Sequence, residues 1–131
     1  MRILNCTSLN QQGQTIKLDN TEYVDIRDTF FQESGQTNIK LEMADLIVRN
    51  SNFTQSSTGY MVHGVDSFIT FEGVYMFNSS NIQQVGHGLY CFSCRSVKIS
   101  QSTFVNMTSK LGGAIYLEDI SGVSEVSHSY F

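Results

Sequence analysis

One repeat constrains this chain more than any other feature. An apolar residue, a variable one, a second apolar one, four more residues and then a large apolar residue recur along it. The copies read Val24-Asp25-Ile26 then Phe31, Leu46-Ile47-Val48 then Phe53, Ile69-Thr70-Phe71 then Met76, and Val97-Lys98-Ile99 then Phe104. Weaker copies stand at either end, Leu4 then Leu9 and Val126 then Phe131. The large column advances by 22, 22, 23, 28 and 27 residues, and the second apolar column moves in step with it. A second pattern lies between the copies. Gly13 to Leu18 is echoed by Gly35 to Leu41, Gly59 to His63, Gly86 to Cys91 and Gly112 to Leu117, with Ile16, Ile39, Met61, Leu89 and Ile115 leading.

Each unit thus reads as two short alternating strands, whose odd and even residues face opposite sides. One unit cannot bury its own apolar face. Stacking like on like at about 4.8 Å buries a continuous column. Apolar identity at this period marks a solenoid, and the strand content makes it an all-β, right-handed parallel β-helix of about six coils of 22–28 residues. A β-sandwich also has short strands and turns, but nothing in it requires residue classes to repeat in register. The 131 residues are expected to form a single domain.

The intervening columns agree. Three residues after the second apolar position stand Thr7, Thr29, Ser51, Val74, Ser102 and Ser129, five of the six being hydroxyl residues placed to satisfy turn amides. On the outward face Arg27 is expected to stack on Arg49 and then Glu72, Lys98 beside Glu125, and Tyr90 on Tyr116. Low charge (15%) and no proline fit strands joined by polar turns.

Gly112-Gly113-Ala114-Ile115-Tyr116, following Ser102-Thr103-Phe104-Val105-Asn106, resembles the Gly-Gly-Ala-Ile repeat of right-handed β-helix surface proteins. Those include adhesin-like polymorphic outer-membrane proteins and protist β-helix repeat proteins, within the pectin-lyase-like superfold. The companion Phe-x-x-Asn motif is not kept, since Phe104 meets Met107 at that spacing. The resemblance implies a structural or adhesive role at a cell surface.

Chemistry has few footholds. Asp19 and Glu42 hold equivalent positions on adjacent coils, with Lys17 and Lys40 before them. A polysaccharide lyase or hydrolase would need more carboxylates converging there, and the next coils offer Gly64 and Phe92. No enzyme activity, cofactor or metal site is expected. His63 is assigned to an inward column with Leu18, Leu41, Cys91 and Leu117, His87 to a Gly-His-Gly loop and His128 to the last turn. Cys91 and Cys94 have redox-motif spacing without a βαβ context; they read as a buried thiol beside a turn thiol, with a disulfide between them as the alternative.

Four N-glycosylation sequons begin at Asn5, Asn52, Asn78 and Asn106. Asn78–Gly88 and Asn106–Gly113 are read as lengthened loops emerging side by side, the first choice for a recognition edge. These features point to an extracellular or cell-surface glycoprotein. The stretch from Met1 to Cys6 lacks the apolar core of a secretion signal, and no apolar run spans a membrane. Eight basic residues against twelve acidic ones, with no basic run, argue against nucleic acid as a partner.

Arg2 and Ser124 are read as polar residues ending an inward column, a weak cap at best. Bare coil ends leave unpaired strand edges. The chain is therefore expected to be a piece of a longer protein or to pair head to tail with another copy. Glycans are the other partner considered, with Tyr90 and Tyr116 as a stacking ladder.

Overall fold

The computed structural model describes residues 1–4, 6–8, 16–20, 23–32, 36–54, 59–85 and 87–131. Among these residues sixteen strands follow one another, as five triplets and a last single strand. The first coil is thin: β1 (Arg2–Leu4), β2 (Thr7–Ser8) and β3 (Ile16–Asp19). Next come β4 (Val24–Arg27), β5 (Phe30–Gln32) and β6 (Ile39–Glu42), then β7 (Asp45–Arg49), β8 (Asn52–Thr54) and β9 (Val62–Val65). The last triplets are β10 (Phe68–Glu72), β11 (Tyr75–Val85) and β12 (Leu89–Phe92), then β13 (Ser96–Ser100), β14 (Thr103–Leu111) and β15 (Ile115–Glu118); β16 (Ser124–Ser127) follows.

Every third strand is a neighbour in space. The first sheet orders as β1-β4-β7-β10-β13-β16, the second as β14-β11-β8-β5-β2 and the third as β15-β12-β9-β6-β3, and every pairing is parallel. This is an all-β parallel solenoid. It has about four full turns, β4 to β15, rather than six, because β1–β3 is rudimentary and only β16 begins a further rung. Each turn also has three sides instead of two. The side missing from the two-strand reading, the second sheet, shows in the early coils as only three residues around one large apolar residue, Phe31 or Phe53.

The apolar columns line the interior as the repeat requires. Val24, Leu46, Ile69 and Val97 stack in the first sheet beside Ile26, Val48, Phe71 and Ile99, all buried. Phe31, Phe53, Met76 and Phe104 form the second sheet's column, and the Phe31 and Phe53 rings lie 4.6 Å apart at 10°. Like-on-like stacking gives each inner rung apolar neighbours on the coils before and after it.

Corners repeat too. Asn20, Met43, Asp66, Ser93 and Asp119 have positive φ where the third sheet turns into the first; Asp28, Asn50, Gly73, Gln101 and His128 have it where the first turns into the second. One left-handed residue swings the chain without breaking the ladder, since Asn20 N–H still donates to Glu42 O and Asp28 N–H to Arg49 O. Beside the second corner runs the expected hydroxyl column. Ser51 Oγ donates to Arg49 O at 2.7 Å and accepts Thr29 N–H at 3.1 Å; Ser102 and Ser129 repeat the arrangement.

The first coil sits one residue out of the expected register. Ile3, not Leu4, pairs with Ile26, and Leu4 is exposed. Arg2 therefore pairs with Asp25 on the outward face and caps no inward column, whereas Ser124 does continue the Val97 column. Cys6 takes the corner expected for Thr7, its Sγ 3.2 Å from Leu4 O. Leu9, Gly13, Gly35 and Gly86 lie outside the described residues.

Candidate functional site

Asp19 and Glu42 do fall side by side on the third sheet's outer face, with Lys17 paired to Lys40. Lys17 Nζ lies 2.7 Å from Asp19 Oδ2, and that hydrogen bond is the first cause of its raised pKa. Both side chains are about half exposed. The column continues through Val65 and Phe92 to Glu118, so the position expected to hold Gly64 holds Val65. Among the described residues no group of three or more His, Cys, Asp or Glu is placed to hold a metal ion.

That one-residue shift reassigns the histidines. Val62, not Met61, stacks between Ile39 and Leu89, which places Gly64 in the inward column and His63 outside, between Lys40 and Tyr90. Met61 is buried as well, so the apolar pair Met61-Val62 gave two equal candidates for one column. His63 joins an outward ladder: its ring lies 5.1 Å from Tyr60 and 5.0 Å from Tyr90, and Tyr90 lies 5.8 Å from Tyr116. Burial first, then the Lys40 charge, lowers its pKa.

His87, read as a loop residue, is the buried histidine. Its Nδ1 stands 2.8 Å from Ser79 Oγ; burial lowers its pKa, opposed by the Gly59 backbone. Of the residues expected to loop out, those up to Val85 and Leu111 are strand. β11 and β14 run on past Asn78 and Asn106, pairing Ser79 with Met107 and Asn81 with Ser109. Both asparagines are exposed at φ of 55° and 52°, and Asn106 Nδ2 donates to Asn78 Oδ1 at 3.2 Å. Asn52 is exposed on β8, and Asn5 lies outside the described residues.

Cys91 and Cys94 are disulfide-bonded, with Cα atoms 5.8 Å apart and both side chains buried. Cys94 is thus a core residue, not a turn thiol. Gly64 makes the room: a Cβ there would stand 3.2 and 3.3 Å from the two sulfurs and 2.6 Å from Ile69 Cδ1. The Gly112 of the Gly-Gly-Ala-Ile motif has φ of 64°, which explains its glycine.

One arrangement escaped sequence reading. Asp25 points outward yet is 0% exposed, because arginines cover it. Arg27 Nε lies 3.0 Å from both carboxylate oxygens and Nη2 2.7 Å from Oδ2; Arg49 Nη1 reaches Oδ1 at 3.1 Å while its Nε binds Glu72. The Arg27 hydrogen bonds hold the Asp25 carboxyl below its usual pKa, against the effect of burial. The expected Arg27–Arg49 stack was the available signal; what it lacked was a reason for two cations to sit together. This network knits three coils and leaves no oxygen of Asp25 free for a ligand.

The fold defines a parallel β-solenoid with a polar and aromatic exterior and an apolar, disulfide-containing core. No protein-family model matches the chain, and no curated protein matches it.

Proposed function

We propose that this chain is an extracellular structural or adhesive β-solenoid that extends by stacking head to tail on further copies of itself. The observation that carries the reading is the rung at β16. Val126 continues the inward column above Ile99, and Phe131 lies on Phe104 with ring centroids 4.9 Å apart at 1°. Both remain largely open, at 50% and 63% exposure. Beside them an open hollow of about 440 Å³ is lined by Phe104, Met107, Ala114, Ile115 and Phe131. Apolar columns and open ladder edges of this kind accept another parallel coil in register, whether from a continuation of the same chain or from another copy. Where the coil comes from another copy, head-to-tail addition is heterologous and does not close, so it produces filaments.

The compartment rests on a separate support. A disulfide sealed in the core belongs with oxidising surroundings, where the exposed sequons at Asn52, Asn78 and Asn106 also find their enzyme. The resemblance to adhesin-like and pectin-lyase-like β-helices agrees with a surface role. The ladder of Tyr60, His63, Tyr90 and Tyr116 favours glycan recognition as a second reading. Its rings largely face one another, which leaves edges more than faces for a sugar, so this reading ranks below the first. Carbohydrate cleavage at Asp19 and Glu42 ranks lower still, with one salt-bridged lysine beside a solvated pair.

Sedimentation velocity over a wide concentration range, with negative-stain electron microscopy, tests the proposal. Growing species and rods of constant width are expected. A monodisperse monomer at the highest concentration overturns it.

A further inference from the structure

The second sheet has an outward column that core packing leaves unexplained. Phe30, Asn52, Tyr75 and Thr103 stand in register on β5, β8, β11 and β14. Tyr75 is 38% exposed, and its ring lies 5.0 Å from that of Phe77, the next outward residue along β11. An aromatic pair, exposed at Tyr75 and half-buried at Phe77, thus lies on the sheet immediately beside the exposed Asn52. Parallel neighbours are about 4.8 Å apart, within reach of the first sugar on that amide.

We infer that Asn52 carries an N-linked glycan whose first N-acetylhexosamine packs on Tyr75 and Phe77. In the transfer, Asn52 Nδ2 bonds C1 of a sugar carried on a lipid diphosphate. The C1–O bond to phosphate breaks, and the proton lost from nitrogen leaves with the diphosphate. The axial C–H groups of the sugar then cover aromatic surface that is otherwise open to water. Thr54, the hydroxyl residue of the sequon, is only 4% exposed on β8. Transfer therefore precedes closure of this coil, and the sugar is already attached when Tyr75 docks beside it. At Asn78 and Asn106 the amides bond each other instead, and Asn106 Nδ2 is already a donor. Of the described sequons, Asn52 is the one with an aromatic seat in register beside it.

The inference rests on the secreted reading, and the test separates the two. The chain is expressed through a eukaryotic secretory pathway, glycans are trimmed to one residue, and occupancy is read by mass spectrometry. Urea unfolding is compared for the wild type, Asn52→Gln, Tyr75→Ser and the double variant. The expected result is an occupied Asn52 whose sugar raises the folding constant roughly two- to tenfold, the range of one aromatic contact, with the gain lost in Tyr75→Ser. Upfield-shifted sugar protons in the wild type alone give a second readout. A secreted, disulfide-bonded chain with bare Asn52 overturns the inference and leaves the secreted reading standing, as does an occupied Asn52 with no Tyr75-dependent gain. A chain recovered with reduced Cys91 and Cys94 and a bare Asn52 overturns both.

Discussion

Truncating Phe53 to alanine probes the stacking directly. Phe53 is fully buried on β8, between Phe31 on one coil and Met76 on the next. Its removal loses the ring's transfer free energy and leaves a cavity walled by the coils on either side. Those coils are held at strand spacing by backbone hydrogen bonds, so they cannot close in. The cost therefore falls toward the top of the usual range for a buried phenylalanine, about 4–5 kcal/mol. The lost contact with the Phe31 ring accounts for about 1 kcal/mol of that. Phe131→Ala supplies the control. The ring occupies the same column but is 63% exposed, so its loss costs about 1 kcal/mol or less. Urea denaturation of both variants under non-reducing conditions, followed by far-UV circular dichroism, measures the difference. Equal costs for the two, or a Phe53→Ala cost below about 1 kcal/mol, would refute the argument that the column is buried in proportion to its stacked neighbours.

Three further outcomes follow from particular groups. Ser51→Ala strands the buried Thr29 N–H without its acceptor and is expected to cost about 1–3 kcal/mol in the same assay, whereas Ser109→Ala on the exposed end of β14 costs little. His87 is held neutral by burial, so its folded pKa lies below the unfolded 6.5; its contribution is complete above pH 6.5 and is lost as pH falls toward the folded value, by at most about 1.4 kcal/mol per pH unit. Urea midpoints between pH 7 and 5 should fall accordingly, and less steeply in His87→Gln; His63, shifted the same way, sets the residual slope. The Cys91→Ser, Cys94→Ser double variant opens a very short loop and should lose about 2 kcal/mol, while thiol reductants should cleave the native bond only at the rate of global opening, because both sulfurs are buried.

The columns were legible because stacking repeats a residue class at each rung, as Ile26, Val48, Phe71 and Ile99 do. The hydroxyl column was legible for the same reason. Register failed where two apolar residues stand together, at Met61-Val62 and Ile3-Leu4, since either member satisfies the pattern. A single slip at Met61 then exchanged His63 with Gly64 and hid the space into which the disulfide fits. The second sheet was missed because one inward residue per short strand leaves no alternation to read. The buried Asp25 was invisible for a different reason: its burial comes from Arg27 and Arg49 lying over the outer surface, which no strand pattern encodes.

The in-register stack underlies every other feature of the fold, and Met76 reports on it most directly. Its register partners are Phe53 on the coil before and Phe104 on the coil after. With methionine methyl groups isotopically labelled, nuclear Overhauser spectra of the oxidised chain should connect the Met76 methyl to the rings of both phenylalanines. A methyl that sees only one of them, or only side chains near it in sequence, would contradict the stack.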